Sequence, residues 1–259
     1  MAQAAQFQHF ATRRVVVLSF MWPSAGSILR YLTDVGNAAA SVEPFALLVQ
    51  SLAAATSANS IDVLAYSAGA KVVSPGLTLL ATPDSGEAEA ARRARLRLRN
   101  VYYAAPDFDT RLFVDQMRAY IGIVERVTVS ANLDDSALRF ARLVHRASRA
   151  GQPDPSELDA EQSAFLVDAS QRLGFDLIYV DPAVIPGLPR RSHAFWYDHP
   201  WVSNDVLGLL LFNVGPERRG LEPLASSGGV RFWTFPADYD QRVRELFAQL
   251  VKGPGAPQR

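Results

Sequence analysis

The 259-residue sequence contains no cysteine and no excess of charge of either sign. The absence of cysteine excludes a disulfide framework, thiolate metal sites and cysteine nucleophiles, and it is compatible with either the cytoplasm or the periplasm. The 26 basic and 26 acidic residues balance to a net charge of zero. This balance argues against nucleic acid or an anionic membrane surface as the main partner.

Long uninterrupted apolar runs are also absent, so we expect no helix that spans a membrane. Since 49% of the residues are hydrophobic and only 20% are charged, the chain can bury one large core and is not a disordered segment. We predict a single domain over residues 1–252, followed by a flexible tail rich in proline and glycine over residues 253–259. We expect the protein to be located in the cytoplasm.

The beginning of the chain allows two interpretations. Arg13 and Arg14 precede an apolar stretch over residues 15–22, and this order resembles a signal peptide. The run of three valines at positions 15–17 instead favours a buried β-strand, because β-branched residues are enriched in strands that are covered on both faces.

Apolar runs of strand length recur along the chain, each separated from the next by enough residues for a helix. These runs lie at 15–21, 61–65, 101–105, 127–130 and 177–180. Continuous apolar runs are typical of parallel strands with helices on both faces of the sheet. We therefore predict an α/β fold with a doubly wound, mainly parallel sheet. Apolar residues three and four apart predict its helices, at 38–55, 112–124, 137–147, 160–173, 206–212 and 243–251.

A segment rich in arginine covers residues 87–99, with five arginines in eight positions. Glu89 lies three and four positions before Arg92 and Arg93, which is the spacing of ion pairs on a helix surface. We interpret the segment as a solvated helix; a basic binding patch is the alternative.

Ser67 lies in a pattern that is typical of a nucleophile elbow. A buried strand at 61–64 leads into Ala65-Tyr66-Ser67-Ala68-Gly69, and a helical stretch follows. Such a tight turn exposes the serine hydroxyl and requires small residues two positions before and after it. Ala65 departs by one methyl group from the usual glycine. The backbone N–H of Ala68 would then begin a helix, where a developing oxyanion is stabilised. The alternative is an ordinary turn of small residues between a strand and a helix.

Several further motifs accompany this turn in a fixed order. They are Phe-Met-Trp-Pro-Ser-Ala-Gly at 20–26, Ala-Pro-Asp-Phe-Asp at 105–109, Asp-Asp-Ser-Ala-Leu at 134–138 and Ser192-His193. Together with the elbow they resemble the bacterial α/β-hydrolase family of unknown function catalogued as DUF900. The resemblance covers most of the chain and implies a doubly wound sheet with a Ser, Asp, His triad in that chain order.

A triad in that order requires a histidine in a loop after the last strand. The sequence offers four histidines, at positions 9, 145, 193 and 199. His9 precedes the serine, and His145 lies in a helical stretch. His193 matches the family's position, on a proline-rich loop at the end of the sheet where ligands bind in open α/β folds. His199 remains the alternative, and either residue can be a simple surface histidine.

The acid expected between Ser67 and His193 follows the end of a strand. Asp135 matches the aspartate of the family and comes shortly after the predicted strand at 127–130. Asp134 and Asp135 can also act as caps for a helix that begins near residue 137. Asp107 is the substitute acid, although with Asp109 it can instead cap a helix at Thr110. We expect Trp22, Ser24, Tyr66 and Asp107 to contribute to the substrate pocket.

Motifs of other chemistries are missing from the sequence. It contains no phosphate-binding loop, no dinucleotide-binding glycine pattern after a strand and no His-Glu-x-x-His zinc motif. Asp198 and His199 lie close to His193, but three candidate ligands on one loop make a poor metal site. We therefore expect no cofactor and no metal, and a small-molecule acyl compound as the substrate.

The α/β-hydrolase fold normally has a further strand, ending in a His-Gly turn, before the Trp22-Pro23-Ser24 segment. That turn donates the second oxyanion N–H, and its strand lies between those at 15–21 and 61–65. We expect Met1 to be a late or truncated start, and the first predicted strand either to pair directly with residues 61–64 or to leave buried backbone groups unpaired. The predicted function is a serine hydrolase for ester bonds; the alternative is a non-catalytic binding or structural protein with an incomplete oxyanion hole. The sequence does not predict an oligomeric state.

Overall fold

The computed structural model describes residues 2–11, 15–23, 31–82, 86–132, 149–150, 157–224 and 229–252. These residues form a six-stranded sheet of order β1-β2-β3-β4-β6-β5. The strands are β1 (Ile61–Tyr66), β2 (Leu98–Ala104), β3 (Arg126–Ala131), β4 (Phe175–Tyr179), β5 (Glu222–Leu224) and β6 (Phe232–Thr234). Neighbouring strands are parallel except for β5, which pairs antiparallel with β6. The predicted α/β class and the mainly parallel sheet are confirmed.

Helices connect these strands and cover the sheet. They are α1 (Ala2–Phe10), α2 (Tyr31–Ala40), α3 (Val42–Ala55), α4 (Ala70–Ala81), α5 (Glu89–Leu96), α6 (Thr110–Tyr120), α7 (Ala160–Arg172), α8 (Phe195–Asp198), α9 (Pro200–Phe212) and α10 (Tyr239–Lys252). The predicted helix at 137–147 and the predicted tail at 253–259 lie outside the described residues.

Strand β2 shows why these strands read as continuous apolar runs. Its residues alternate between two buried clusters: Val101 and Tyr103 pack with residues of α3, α4 and α6. Tyr102 and Ala104 pack with residues of α9 and α10. Since both faces of the strand are covered by helices, its residues from Val101 to Ala104 are all apolar or aromatic and no polar face appears there.

Helices α3 and α4 pack closely on one face of the sheet. A Cβ atom placed on Gly76 of α4 would lie 2.5 Å from Cδ1 of Phe45 in α3, so only glycine permits this approach. One helical stretch among the described residues, Asp34–Ala55, is long and apolar enough to cross a membrane by length and composition. This is weak evidence, because core helices meet the same criterion and Phe45 and Val49 are buried here. The described residues therefore contain no clear membrane span.

The prediction of a strand at residues 15–21 is wrong. The structure has neither a strand nor a strand partner there, and Val16 is 83% exposed. The side-chain amide of Gln8 instead donates to the carbonyl of Val15 at 2.6 Å and accepts from the N–H of Val17 at 2.8 Å. A strand exists only through the ladder that a neighbour provides, and among the described residues β1 pairs with β2 alone. The segment does not pair with residues 61–64, and Phe20 near its end packs against the core beside Phe45.

Three smaller features also differ from the sequence-based expectations. Glu87, and not Glu89, binds the arginines of α5, since its carboxylate accepts from Arg92 at 3.1 Å and from Arg95 at 2.8 Å. The predicted helix at 38–55 is divided at Ser41 into α2 and α3. Strands β5 and β6 were not predicted, because three residues each are too few to show a pattern.

Candidate functional site

Ser67 follows directly on β1 and has a backbone conformation that serine rarely adopts. Tyr66 is still extended, with φ −112° and ψ 132°, but the φ of Ser67 is +51°. A short 3₁₀ turn at Ser67–Gly69 then leads into α4. A left-handed conformation in a non-glycine residue is strained and is concentrated at functional sites. The turn leaves the serine at the carboxyl end of the sheet, with the N–H of Ala68 in the first turn of the helical run.

The small residues around Ser67 do not have equal importance. Ala65 is buried at 2% exposure, in the core on the side of α3 and α4. A Cβ atom at Gly69 would meet no heavy atom within 4 Å in the described structure. The side chain of Ala65, two residues before the serine, is therefore enclosed by the core. The described structure leaves space for a methyl group at Gly69, two residues after it.

The imidazole of His193 lies against the Ser67 hydroxyl. Its Nε2 is 2.7 Å from Oγ, although the two residues are 126 positions apart in the chain. When the ring proton is on Nδ1, the serine hydroxyl donates to Nε2. His193 is half-buried, and the ring of Tyr66 lies 5.1 Å from the imidazole, centroid to centroid. The histidine favoured from the sequence is thus the one that adjoins the serine.

His199, the alternative histidine, has a structural environment. It is the N-cap of α9, where its Nδ1 accepts from the N–H of Trp201 at 3.2 Å. Its Nε2 then carries the proton and donates to the carbonyl of Pro186 at 3.0 Å. Both ring nitrogens of this buried side chain are used in holding the loop and the helix.

Asp107 lies beside the elbow and binds two basic side chains. Lys71, one helical turn after Ser67, donates to both the carboxylate and the carbonyl of Asp107. Arg149 approaches the other carboxylate oxygen at 3.4 Å. The N–H of Asp107 donates to the carbonyl of Ser67 at 3.0 Å, so this cluster also supports the strained turn. Burial lowers the pKa of Lys71, and the attraction of Asp107 opposes that effect.

Asn132 is a further side chain at the carboxyl end of the sheet that the sequence did not reveal. It follows β3 directly, is fully buried and donates to carbonyls of the loop that carries His193. Neither Asn132 nor the partners of Asp107 stand in a local motif, because the contacts join residues 36 to 60 positions apart.

Aromatic side chains cluster around Tyr66, whose ring adjoins that of His193. The ring of Tyr66 lies 5.9 Å from that of Trp196 and 5.8 Å from that of Tyr197. Trp22 is half-buried against the core on the side of α3. Ser24 and Asp135, the other residues predicted for the pocket and for the acid, lie outside the described residues. No group of three or more metal-binding side chains occurs among the residues that the structure describes.

Comparison with known protein families matches residues 1–181 to a family described as an alpha/beta hydrolase of unknown function, DUF900. No curated protein and no solved structure matches the chain. The family match covers more than half of the sequence, and the mainly parallel sheet agrees with the fold that the family name states. The chain therefore belongs to the DUF900 family of α/β hydrolases.

Proposed function

We propose that this protein is a serine hydrolase that cleaves an ester or a related acyl bond. Ser67 is the nucleophile, His193 the general base and Asp135 the acid of the triad. The observation that carries the proposal is the 2.7 Å separation of Ser67 Oγ and His193 Nε2. A nucleophile and a base within hydrogen-bond distance are the signature of an activated serine.

In the first half of the reaction, Ser67 Oγ attacks the carbonyl carbon of the substrate while His193 Nε2 takes the hydroxyl proton. The N–H of Ala68 stabilises the negative oxygen of the tetrahedral intermediate. The bond to the leaving group then breaks, and His193 returns the proton to the departing alcohol. The product of this half is an acyl-Ser67 ester.

In the second half, a water molecule attacks the acyl-Ser67 ester and gives its proton to His193. Collapse of the second tetrahedral intermediate releases the acid, and the proton returns to Ser67 Oγ. Asp135 accepts from the Nδ1–H of His193 and so holds the tautomer in which Nε2 is free to accept. This chemistry requires neither a metal nor an organic cofactor.

Asp135 is preferred to Asp107 as the acid. One carboxylate oxygen of Asp107 binds Lys71, and the other faces Arg149. Two cations next to this carboxylate weaken its attraction for an imidazolium, because they compensate its charge. We assign Asp107 to the support of the elbow.

The substrate is a small acyl compound with an apolar or aromatic portion. The rings of Tyr66, Trp196 and Tyr197 lie within 6 Å of one another beside His193. The rings of Tyr66 and Tyr197 are half-buried and can contact an apolar group of the substrate, whereas Trp196 is buried in the core.

A fluorophosphonate probe tests the proposal, because an activated serine forms a covalent bond to phosphorus and displaces fluoride. We expect the probe to label the wild-type protein at Ser67 and to leave Ser67→Ala unlabelled. His193→Ala should lower the labelling rate by about 10²- to 10⁴-fold. Ser51→Ala, at an exposed position of α3, is the matched control and should label like the wild type.

Two outcomes contradict the proposal. Labelling of Ser67→Ala at the wild-type rate would move the nucleophile elsewhere. A folded wild-type protein that does not react at all would favour the alternative function, a non-catalytic member of the fold that binds ligands.

A further inference from the structure

The loop between β4 and His193 is attached to the end of β3 at both of its ends. Where the loop begins, the N–H of Val180 donates to the carbonyl of Ala131 at 2.8 Å. Where it ends, Nδ2 of Asn132 donates to the carbonyl of Ser192 at 3.0 Å and to that of Arg190 at 3.3 Å. Ala131, the last residue of β3, and Asn132, which follows it, thus hold the two ends of a loop of more than ten residues.

The contact with Ser192 acts directly on His193. The carbonyl of Ser192 belongs to the peptide bond that leads into His193, and peptide groups are planar. Fixing its oxygen therefore restrains the plane of that peptide group and with it the positions of the nitrogen and Cα of His193, from which the imidazole extends. Asn132 is fully buried, so in the folded protein its amide finds its partners within the protein and not in bulk water.

We propose that Asn132 is a positioning residue that holds the imidazole of His193 against Ser67. Its side chain has only two rotatable bonds and extends from a strand in the middle of the sheet, so it is a rigid point of attachment. A displacement of about 1 Å in a reacting group costs about 10²-fold in rate. The effect of Asn132 on the rate rests on the proposed function, whereas its effect on the position of His193 does not.

The positioning itself is tested by nuclear magnetic resonance of the histidine rings. The chain has four histidines, and single His→Gln variants assign their ring signals. In Asn132→Leu, which keeps the size of the side chain and removes both donors, we expect the ring signals of His193 to shift or broaden. The signals of His199 should stay in place, because its ring is held by Pro186 and Trp201.

The consequence for reactivity is tested by a double-mutant cycle with the fluorophosphonate probe. Asn132→Leu should lower the labelling rate of Ser67 by about 10- to 100-fold in the wild-type background. In the His193→Ala background it should have no further effect, because Asn132 acts through the imidazole. A purely structural role would lower the rate equally in both backgrounds.

Asn100→Leu is the matched control. Asn100 is equally buried and donates to Asp62 at 2.8 Å, but it lies near the beginning of β2, at the opposite end of the sheet. We expect Asn100→Leu to lower stability without changing the ring signals of His193 or the labelling rate of Ser67. Asn132→Ser, whose hydroxyl is too short to reach both carbonyls, replaces Asn132→Leu if that variant does not fold.

The outcomes separate this inference from the proposed function. Unchanged His193 signals in a folded Asn132 variant, or equal rate losses in both backgrounds, would overturn the positioning role. If the wild-type serine is unreactive while the His193 signals respond to Asn132→Leu, the proposed function fails and the positioning role stands.

Discussion

Ser67 and Ala105 hold strained backbone conformations at the ends of two neighbouring strands. Their φ angles are +51° and +45°, in a region that costs about 1 to 3 kcal/mol for a residue other than glycine. Backbone hydrogen bonds on either side maintain them: the N–H of Asp107 donates to the carbonyl of Ser67, and the N–H of Ala105 donates to that of Ser130. The other two described non-glycine residues with a positive φ, Arg97 and Asn213, are C-caps of helices, whereas Ser67 and Ala105 end strands beside the presented hydroxyl, which fits a functional turn.

Some residues of the site were predictable from the sequence, and others were not. Ser67 was predictable from the elbow pattern, and His193 from the chain order of the triad that the family resemblance implied. Asn132 and Gln8 gave no signal, because an amide is a common polar side chain until its acceptors are known. The acceptors of Asn132 lie 58 and 60 positions away, and no periodicity links residues at such distances.

Replacement by alanine should change the free energy of unfolding in opposite directions at Gly69 of the elbow and at Gly76 of the following helix. Gly69 has φ −57° and ψ −25°, and an added Cβ would meet no described atom within 4 Å. We expect Gly69→Ala to raise the free energy of unfolding by about 0.4 to 1 kcal/mol, because the unfolded chain loses entropy. Gly76→Ala should lower it by about 1 to 3 kcal/mol, because the new methyl overlaps Phe45.

Urea titrations of both glycine variants measure this difference, and probe labelling at Ser67 shows whether the elbow is intact. A Gly69→Ala protein that is less stable than the wild type would show that the turn requires glycine after all.

At the scale of elements, the sheet was predictable where a strand is buried on both faces. The runs predicted at 61–65, 101–105, 127–130 and 177–180 correspond to β1 to β4 with shifts of at most three residues. The prediction of a strand at 15–21 is wrong, although this run is also rich in apolar residues. Apolar residues indicate what a strand would bury, but the neighbour that completes its hydrogen bonds is not encoded in the run itself.

The carboxylate of Glu87, which binds arginines of α5, should stop contributing to the stability of the folded protein in acid. Hydrogen bonding to Arg95, with further help from Arg92, lowers the pKa of Glu87 to about 2 from an ordinary 4.5. A lowered pKa stabilises the folded protein above pH 4.5, and that contribution is lost as the pH falls from 4.5 toward 2. The free-energy difference between wild type and Glu87→Gln should therefore shrink over this range.

Urea midpoints of the two proteins at pH 7 and pH 3 test the expectation for Glu87. A constant difference for Glu87→Gln would show that the arginines of α5 do not hold this carboxylate.

At the scale of the whole molecule, the part of the chain after residue 181 completes both the core and the site. The family match ends at 181, whereas His193 and the helices that cover one face of the sheet come later. A buried ionic network joins this part to the strands. Arg219 donates to Asp205 of α9 at 2.7 Å, Tyr102 of β2 donates to the same carboxylate at 3.0 Å, and Arg219 lies 3.8 Å from Asp176 of β4.

Removal of Arg219 should therefore weaken the attachment of the chain after residue 181 to the sheet. Arg219 and Asp205 have no exposed side-chain surface, so Arg219→Met leaves the buried carboxylate of Asp205 without its cation, whereas Asp176 keeps Arg126 at 2.7 Å. We expect a loss of about 3 to 5 kcal/mol in the free energy of unfolding. Arg218→Met, at the exposed neighbouring position, removes the same charge and should cost less than about 0.5 kcal/mol.

The pH dependence of this loss has a definite sign. Burial already raises the pKa of Asp205 in the wild type, where Arg219 opposes the effect, and removing the arginine raises that pKa further. An acid with a raised pKa in the folded state stabilises the fold when protonated, and this contribution disappears as the pH rises through the folded-state pKa. The stability of Arg219→Met should thus approach that of the wild type as the pH falls and depart further from it as the pH rises, as measured by urea unfolding at pH 5 and pH 8. A loss that is the same at both pH values would mean that Asp205 is not left as a buried, uncompensated charge when Arg219 is removed.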